Sequence, residues 1–288
     1  MRPFAFLLLA LTAACGGEKE TPEAAGIESM PGLEKLWVAD GFSAPEGVAA
    51  APRTDDGRDL YFISNVAGEP DGKDDEGWIS ILSEGGEIVT EKFAEGMNAP
   101  KGMAVLGGRL YVTDIDQVLI FDIESGEPLG AVEIDRAQFL NDMTVWQGGI
   151  FVSDSGAGKI HRIDGDQSML WLEDDRLGGV NGVLGDGDTL YIATMASGSL
   201  YAADTQGTLT EIATGMKNAD GIGLVSGGGW LVSSFPGVIY YVSPEGEAAK
   251  LVDTREDGVL QNDLTMFGDL VIVPNWNPGT VTAWKIRP

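Results

Sequence analysis

The sequence predicts an all-β fold, a six-bladed propeller, on three observations. A short segment recurs six times, each copy has room for four strands, and the last copy is one strand short while an extra strand stands at the front. The recurring segments are Pro45-Glu46-Gly47-Val48, Pro100-Lys101-Gly102-Met103, Leu140-Asn141-Asp142-Met143, Val180-Asn181-Gly182-Val183, Ala219-Asp220-Gly221-Ile222 and Gln261-Asn262-Asp263-Leu264. Their polar residues stand at 46, 101, 141, 181, 220 and 262, a period near forty that is typical of propeller blades.

Each element follows in order. The polar residue opens a short apolar inner strand, as in Met103-Ala104-Val105-Leu106. A Gly- or Asp-rich turn follows (Gly107-Gly108, Gly148-Gly149), and 41 glycines supply such turns throughout. The second strand is β-branched and aromatic, as in Leu110-Tyr111-Val112-Thr113 and Leu190-Tyr191-Ile192-Ala193. Third strands such as Val118-Leu119-Ile120-Phe121 lead to weaker fourth strands. The sixth unit stops after its third strand, Thr280-Val281-Thr282-Ala283, and Leu36-Trp37-Val38-Ala39 is left over. That piece is expected to become the outer strand of the last blade, closing the ring and removing free edges. The loops after the second strands should surround the ring of polar residues. The first of them, residues 65–77, is long and acidic, either a lid or a decoration.

The ends of the chain and its charge add context. Arg2, the apolar stretch Phe4 to Leu11 and small residues before Cys15 resemble a bacterial lipoprotein signal. The expected organisation is a signal over 1–14, lipidated Cys15 with a Glu-, Pro- and Gly-rich tether over 15–32, and a propeller over 33–288. The resemblance implies a periplasm-facing lipid anchor at the cell envelope, with the outer membrane favoured because Gly16 follows Cys15. Cys15 is the only cysteine, which excludes disulfides and cysteine metal sites. With 45 acidic against 18 basic residues the net charge is -27, which repels phosphate backbones and excludes nucleic acid as a partner. A monomer is expected.

The polar ring is the candidate site. Glu46, Asn141, Asn181 and Asp220 offer two carboxylates and two amide oxygens, a donor set for a hard cation such as Ca2+ or another divalent ion. The same residues can also be read as caps that hold channel water. In order and spacing, Glu46 in PEG, Asn141 in LNDM, Asn181 in VNGV and Asp220 in ADGI resemble the regucalcin/gluconolactonase family, related to diisopropyl fluorophosphatase and paraoxonase. The resemblance spans about residues 33–288. It implies a Ca2+-dependent hydrolase of lactones or related esters, metal held by Glu46, Asn141, Asn181 and Asp220, and Asp220 as the proton acceptor for water.

Lys101 departs from that pattern. It is expected either to anchor a substrate oxyanion or to pair with a carboxylate such as Asp142. Strand alternation should turn Asp142 and Asp263 off the axis into supporting roles, with Asn262 beside them. His161, the only histidine, lies in a third strand and reads as a blade-surface residue, which argues against a histidine mechanism. The alternative function is a non-catalytic propeller binding a ligand or protein on its top face, with Phe235 and Trp276 as exposed aromatic candidates.

Overall fold

The computed structural model describes residues 30–287, and the signal and Cys15 lie outside them. The described chain forms six antiparallel sheets. Five are four-stranded meanders: Pro45–Ala51 through Ile88–Met97, Pro100–Leu106 through Pro128–Glu133, Leu140–Trp146 through Gln167–Glu173, Val180–Asp186 through Leu209–Ala213, and Ala219–Leu224 through Ala248–Asp253. In the sixth, Gly32–Asp40 pairs antiparallel with Thr280–Arg287 and becomes the outer strand, as the leftover segment implied. The closure is reinforced by Arg287 Nε donating to Glu34 Oε2 at 2.6 Å.

The alternating apolar residues of the second and third strands pack between blades. Phe62, Ile79 and Met97 of the first blade meet Leu110 and Val112 of the second in one dry cluster. Between the third and fourth blades, Trp146 and Phe151 meet Leu190, Ile192 and Tyr201. Fully burying a side chain such as Phe62 or Phe151 stabilises the fold by about 1.5–3 kcal/mol each. The seams between blades therefore hold the ring without help from the axis.

The inner strands carry a regular irregularity. Strand pairing slips at the start of each of the first five, between Pro45 and Val48, Pro100 and Met103, Leu140 and Met143, Val180 and Val183, and Ala219 and Ile222. The polar position lies inside every slip, so a bulge rather than ordinary pleating aims its side chain. In the sixth blade the break is complete: Leu260–Gln261 and Thr265–Phe267 are separate strands, and Asn262 and Asp263 fill the gap. Neighbouring bulges nearly touch. A Cβ on Gly182 would stand 2.1 Å from the Asp220 carbonyl oxygen, which explains glycine after the ring residue.

Candidate functional site

All six ring residues are buried: Lys101 and Asp220 are 2% exposed, Asn181 3%, Glu46 and Asn141 5%, and Asn262 8%. Hydroxyls on the second strands shape the bulges that hold them. Ser64 Oγ accepts from Gly47 N at 2.7 Å, Ser153 Oγ from Asp142 N at 3.0 Å, and Ser233 Oγ from Gly221 N at 2.8 Å. In the second blade Thr113 Oγ1 faces the carbonyls of Gly102 and Asn141.

The side chains of the ring are poorly satisfied. Asn141 donates its amide to Ser155 Oγ at 3.2 Å, and Ser155 Oγ in turn donates to the Val180 carbonyl. Because the serine proton is committed to Val180, Ser155 can only accept from Asn141, which fixes the amide orientation. Asn141 Oδ1 is then left buried without a partner, and so is Asn181 Oδ1. A buried oxygen without a partner costs about 1–3 kcal/mol, so two of them at equivalent positions of adjacent blades call for a ligand.

The carboxylates show the same imbalance. Burial raises Glu46 well above the usual carboxylate range, the Asp220 charge raises it further, and Lys101 opposes the rise. Burial, with the Asp142 charge behind it, pushes Asp220 up to about 8. Both shifts mean that burial disfavours the ionised form of these carboxylates in the chain alone, and that a cation beside them would favour it.

These donors suit a divalent cation. Among the described residues no three His, Cys, Asp or Glu side chains converge closely enough to hold a metal by themselves. The fit therefore depends on the two unpartnered amide oxygens completing the pair of carboxylates, an all-oxygen set appropriate to Ca2+.

Lys101 is engaged on the rim. Its Nζ donates to the Pro70 carbonyl at 2.8 Å and to the Ala99 carbonyl at 2.9 Å, and lies 4.5 Å from the centre of the Phe139 ring. It makes no pair with Asp142, contrary to one expectation. Pro70 belongs to the long first-blade loop, so Lys101 ties that loop down beside the ring. Lys73 Nζ ties the same loop to Asp116 Oδ2 of the second blade at 2.6 Å. Burial pulls the Lys101 ammonium down from its ordinary range, and the Glu46 charge opposes that shift.

Three other expectations are corrected. Asp142 and Asp263 do not turn off the axis; both line a cavity of about 720 Å³ enclosed by the inner strands. Asp142 Oδ2 accepts from Val183 N of the next blade at 2.8 Å and Oδ1 from Met143 N at 2.7 Å, while Asp263 Oδ1 accepts from Leu264 N at 2.7 Å. The bulge beside each of them defeats simple alternation. His161 is not a surface residue; it is 6% exposed, its Nε2 lies 3.9 Å from Asp154 Oδ2, and burial lowers its pKa. It stands in the third blade, away from the ring. Phe235 and Trp276 are half-buried, and Trp276 packs against Val66, Ala99 and Ile115.

Sequence reasoning did not anticipate the contact of Ser155 with Asn141. Its signal was Asp154-Ser155 at the end of a second strand, where a hydroxyl can reach the ring residue of its own blade.

No protein-family model and no curated protein matches the chain. Solved structures do match in fold. A gluconolactonase from Xanthomonas campestris has a TM-score of 0.66 at 16% identity, over 88% of this chain and 89% of that one. Virginiamycin B lyase from Staphylococcus aureus, a catalytically inactive histidine-to-alanine variant with quinupristin, has a TM-score of 0.62 at 13% identity, over 89% of this chain and 99% of that one. A chain of the nidogen/laminin complex has a TM-score of 0.62 at 15% identity, over 79% of this chain and 89% of that one. The gluconolactonase fold expected from the ring motifs is therefore the fold observed.

Proposed function

We propose that this chain is a divalent-cation-dependent hydrolase of lactones or related esters, held at the cell envelope by Cys15. The observation that carries the reading is the pair of unpartnered amide oxygens, Asn141 Oδ1 and Asn181 Oδ1, in a ring with the under-compensated carboxylates Glu46 and Asp220. The gluconolactonase among the fold neighbours supports the choice of reaction class. Ca2+ is the ion the oxygen donors favour.

Glu46, Asn141, Asn181 and Asp220 would hold the ion. Bound there, it would polarise a carbonyl and offset charge developing on its oxygen. Asp220 would take a proton from attacking water, the role the family resemblance gives it; a bound cation would keep it ionised and so able to accept one. Ser155 fixes which face of Asn141 is presented. Lys101 would hold the first-blade loop beside the ring through Pro70. Its charge also tempers Glu46.

The test is a panel of lactones and aryl esters assayed with the full chain, with and without chelator. Hydrolysis that chelator abolishes and Ca2+ restores is expected. No turnover on any member, or turnover indifferent to chelator, refutes the reading. One observation favours a binding role instead: no ring side chain is more than 8% exposed, which leaves little room for a substrate beside a bound ion. That role expects cation binding without turnover.

A further inference from the structure

Asp142 and Asp263 are left unused by the ring chemistry. They stand in the third and sixth blades, opposite each other across the axis, and face a cavity of about 720 Å³ bounded by the later parts of the inner strands. The turn residues Ser226 and Gly268 lie at its rim, so it opens on the face opposite the ring. Its volume falls within the range of small-molecule sites. Its walls are apolar, among them Val48, Met143, Ile222, Met266 and Phe267.

The only charged residues lining it are Asp142, Asp263 and Asp269, all acidic. Asp263 is 8% exposed, and Oδ2 takes no hydrogen bond among the described residues. With no basic side chain on its walls, the chamber offers this carboxylate no counter-charge. Lys101 is the only Lys or Arg buried among the described residues, and it is bound to Pro70 and Ala99 on the ring side. Glu46, Asp142, Asp220 and Asp263 bring four carboxylates to the axis. Ionised together, these four would exceed the charge of a divalent ion and Lys101 by one, and the two that face the chamber are Asp142 and Asp263.

We propose that this lower chamber is a second binding site, separate from the ring, for a small organic monocation: an ammonium group carried on a flat or aliphatic body. The ammonium would meet Asp263 and Asp142, and the apolar body would lie against Met143, Met266 and Phe267. A sulfur-rich, adaptable wall accommodates such bodies without demanding one shape. The charge count uses the ring's ion, but the chamber and its acidic lining do not depend on it.

Calorimetric titration of the full chain with 2-phenylethylammonium, 2-phenylethanol and phenylacetate tests this, since the three share a ring and differ in charge. The ammonium is expected to bind at least tenfold more tightly than the alcohol, and phenylacetate not at all. Asp263→Asn keeps an acceptor for Leu264 N and should erase the preference for the ammonium over the alcohol. Ala50→Trp, on the chamber wall and away from the ring, should abolish binding of both while leaving Ca2+ binding intact. Equal binding of all three probes, no binding, or ammonium binding that survives Ala50→Trp overturns the proposal. Glu46→Gln with chelator separates the sites: ammonium binding should persist there, and its loss would place the probe in the ring.

Discussion

Two sets of buried polar residues recur around this propeller, and in the third blade they differ sharply in whether they are satisfied. At the ends of the second strands, Asp154 accepts from the backbone N–H groups of Gln138, Phe139 and Ala157 at 2.9–3.1 Å. Asp114 likewise accepts from Asn98 and Ala99, and Asn65 joins Ser43, Ile63 and Ser80. At the starts of the inner strands, Asn141 Oδ1 and Asn181 Oδ1 have no partner, and burial disfavours the ionised forms of Glu46 and Asp220. The first set ties the segment entering a blade to that blade's second strand; the second is the proposed cation site. Unpartnered oxygens are not confined to the ring, since Asn275 Oδ1 at the end of the sixth blade's second strand also lacks a partner; what marks the ring is that two such amides share it with two buried carboxylates.

The largest effect that follows is on activity. Asp220→Asn removes a ring charge and the proton acceptor, and hydrolysis in the presence of Ca2+ should fall by at least about a hundredfold, the lower end of what a positioned base contributes. Steady-state kinetics on the best substrate reads this directly. Asp154→Ala, by contrast, strands three backbone donors and should cost about 3 kcal/mol of stability in denaturant unfolding, while the folded fraction keeps its Ca2+ affinity. If Asp154→Ala abolished cation binding while leaving stability untouched, the division between caps and ring would collapse.

The pH response sharpens the same contrast. Asp220 is raised to about 8 and Glu46 is raised too, so between about pH 4 and 8 the folded state without metal binds more protons than the unfolded chain. Stability must then decline as pH rises through that window and level off above it. Ca2+ should flatten the slope, because it stabilises the ionised carboxylates. Thermal melts from pH 4 to 9 in chelator and in Ca2+ test the sign; a stability that rises with pH in chelator would contradict it.

The smallest effect is the most discriminating for the ring. Asn181→Leu replaces an unpartnered amide by an apolar group of similar size, so stability without metal should stay level or rise by about 1 kcal/mol. Ca2+ affinity should drop at least tenfold in the same protein. A variant that is both destabilised and normal in Ca2+ binding would make Asn181 another cap.

Much of this was legible in the sequence because propeller geometry repeats. The six polar positions, the four strands per blade and the N-terminal strand that closes the last blade all follow from period and strand count. What was hidden depended on contacts between distant segments. The placement of Lys101 required knowing that the first-blade loop returns Pro70 to it. The placement of Asp142 required the bulge between Leu140 and Met143, which ordinary alternation does not anticipate. The burial of His161, 6% exposed in a third strand, is likewise set by the packing of segments distant in sequence. The division between satisfied and unsatisfied polar groups belongs to the same class, since Asn and Asp look alike in both sets until partners are assigned.

The central claim is that the ring is a divalent-cation site because its oxygens lack partners. Calorimetric titration of Ca2+ into the chelator-treated full chain at neutral pH tests it most directly. One ion should bind per chain, and Asn141→Leu and Asn181→Leu should each weaken that binding. Absence of binding, or binding that both variants leave unchanged, would contradict the claim.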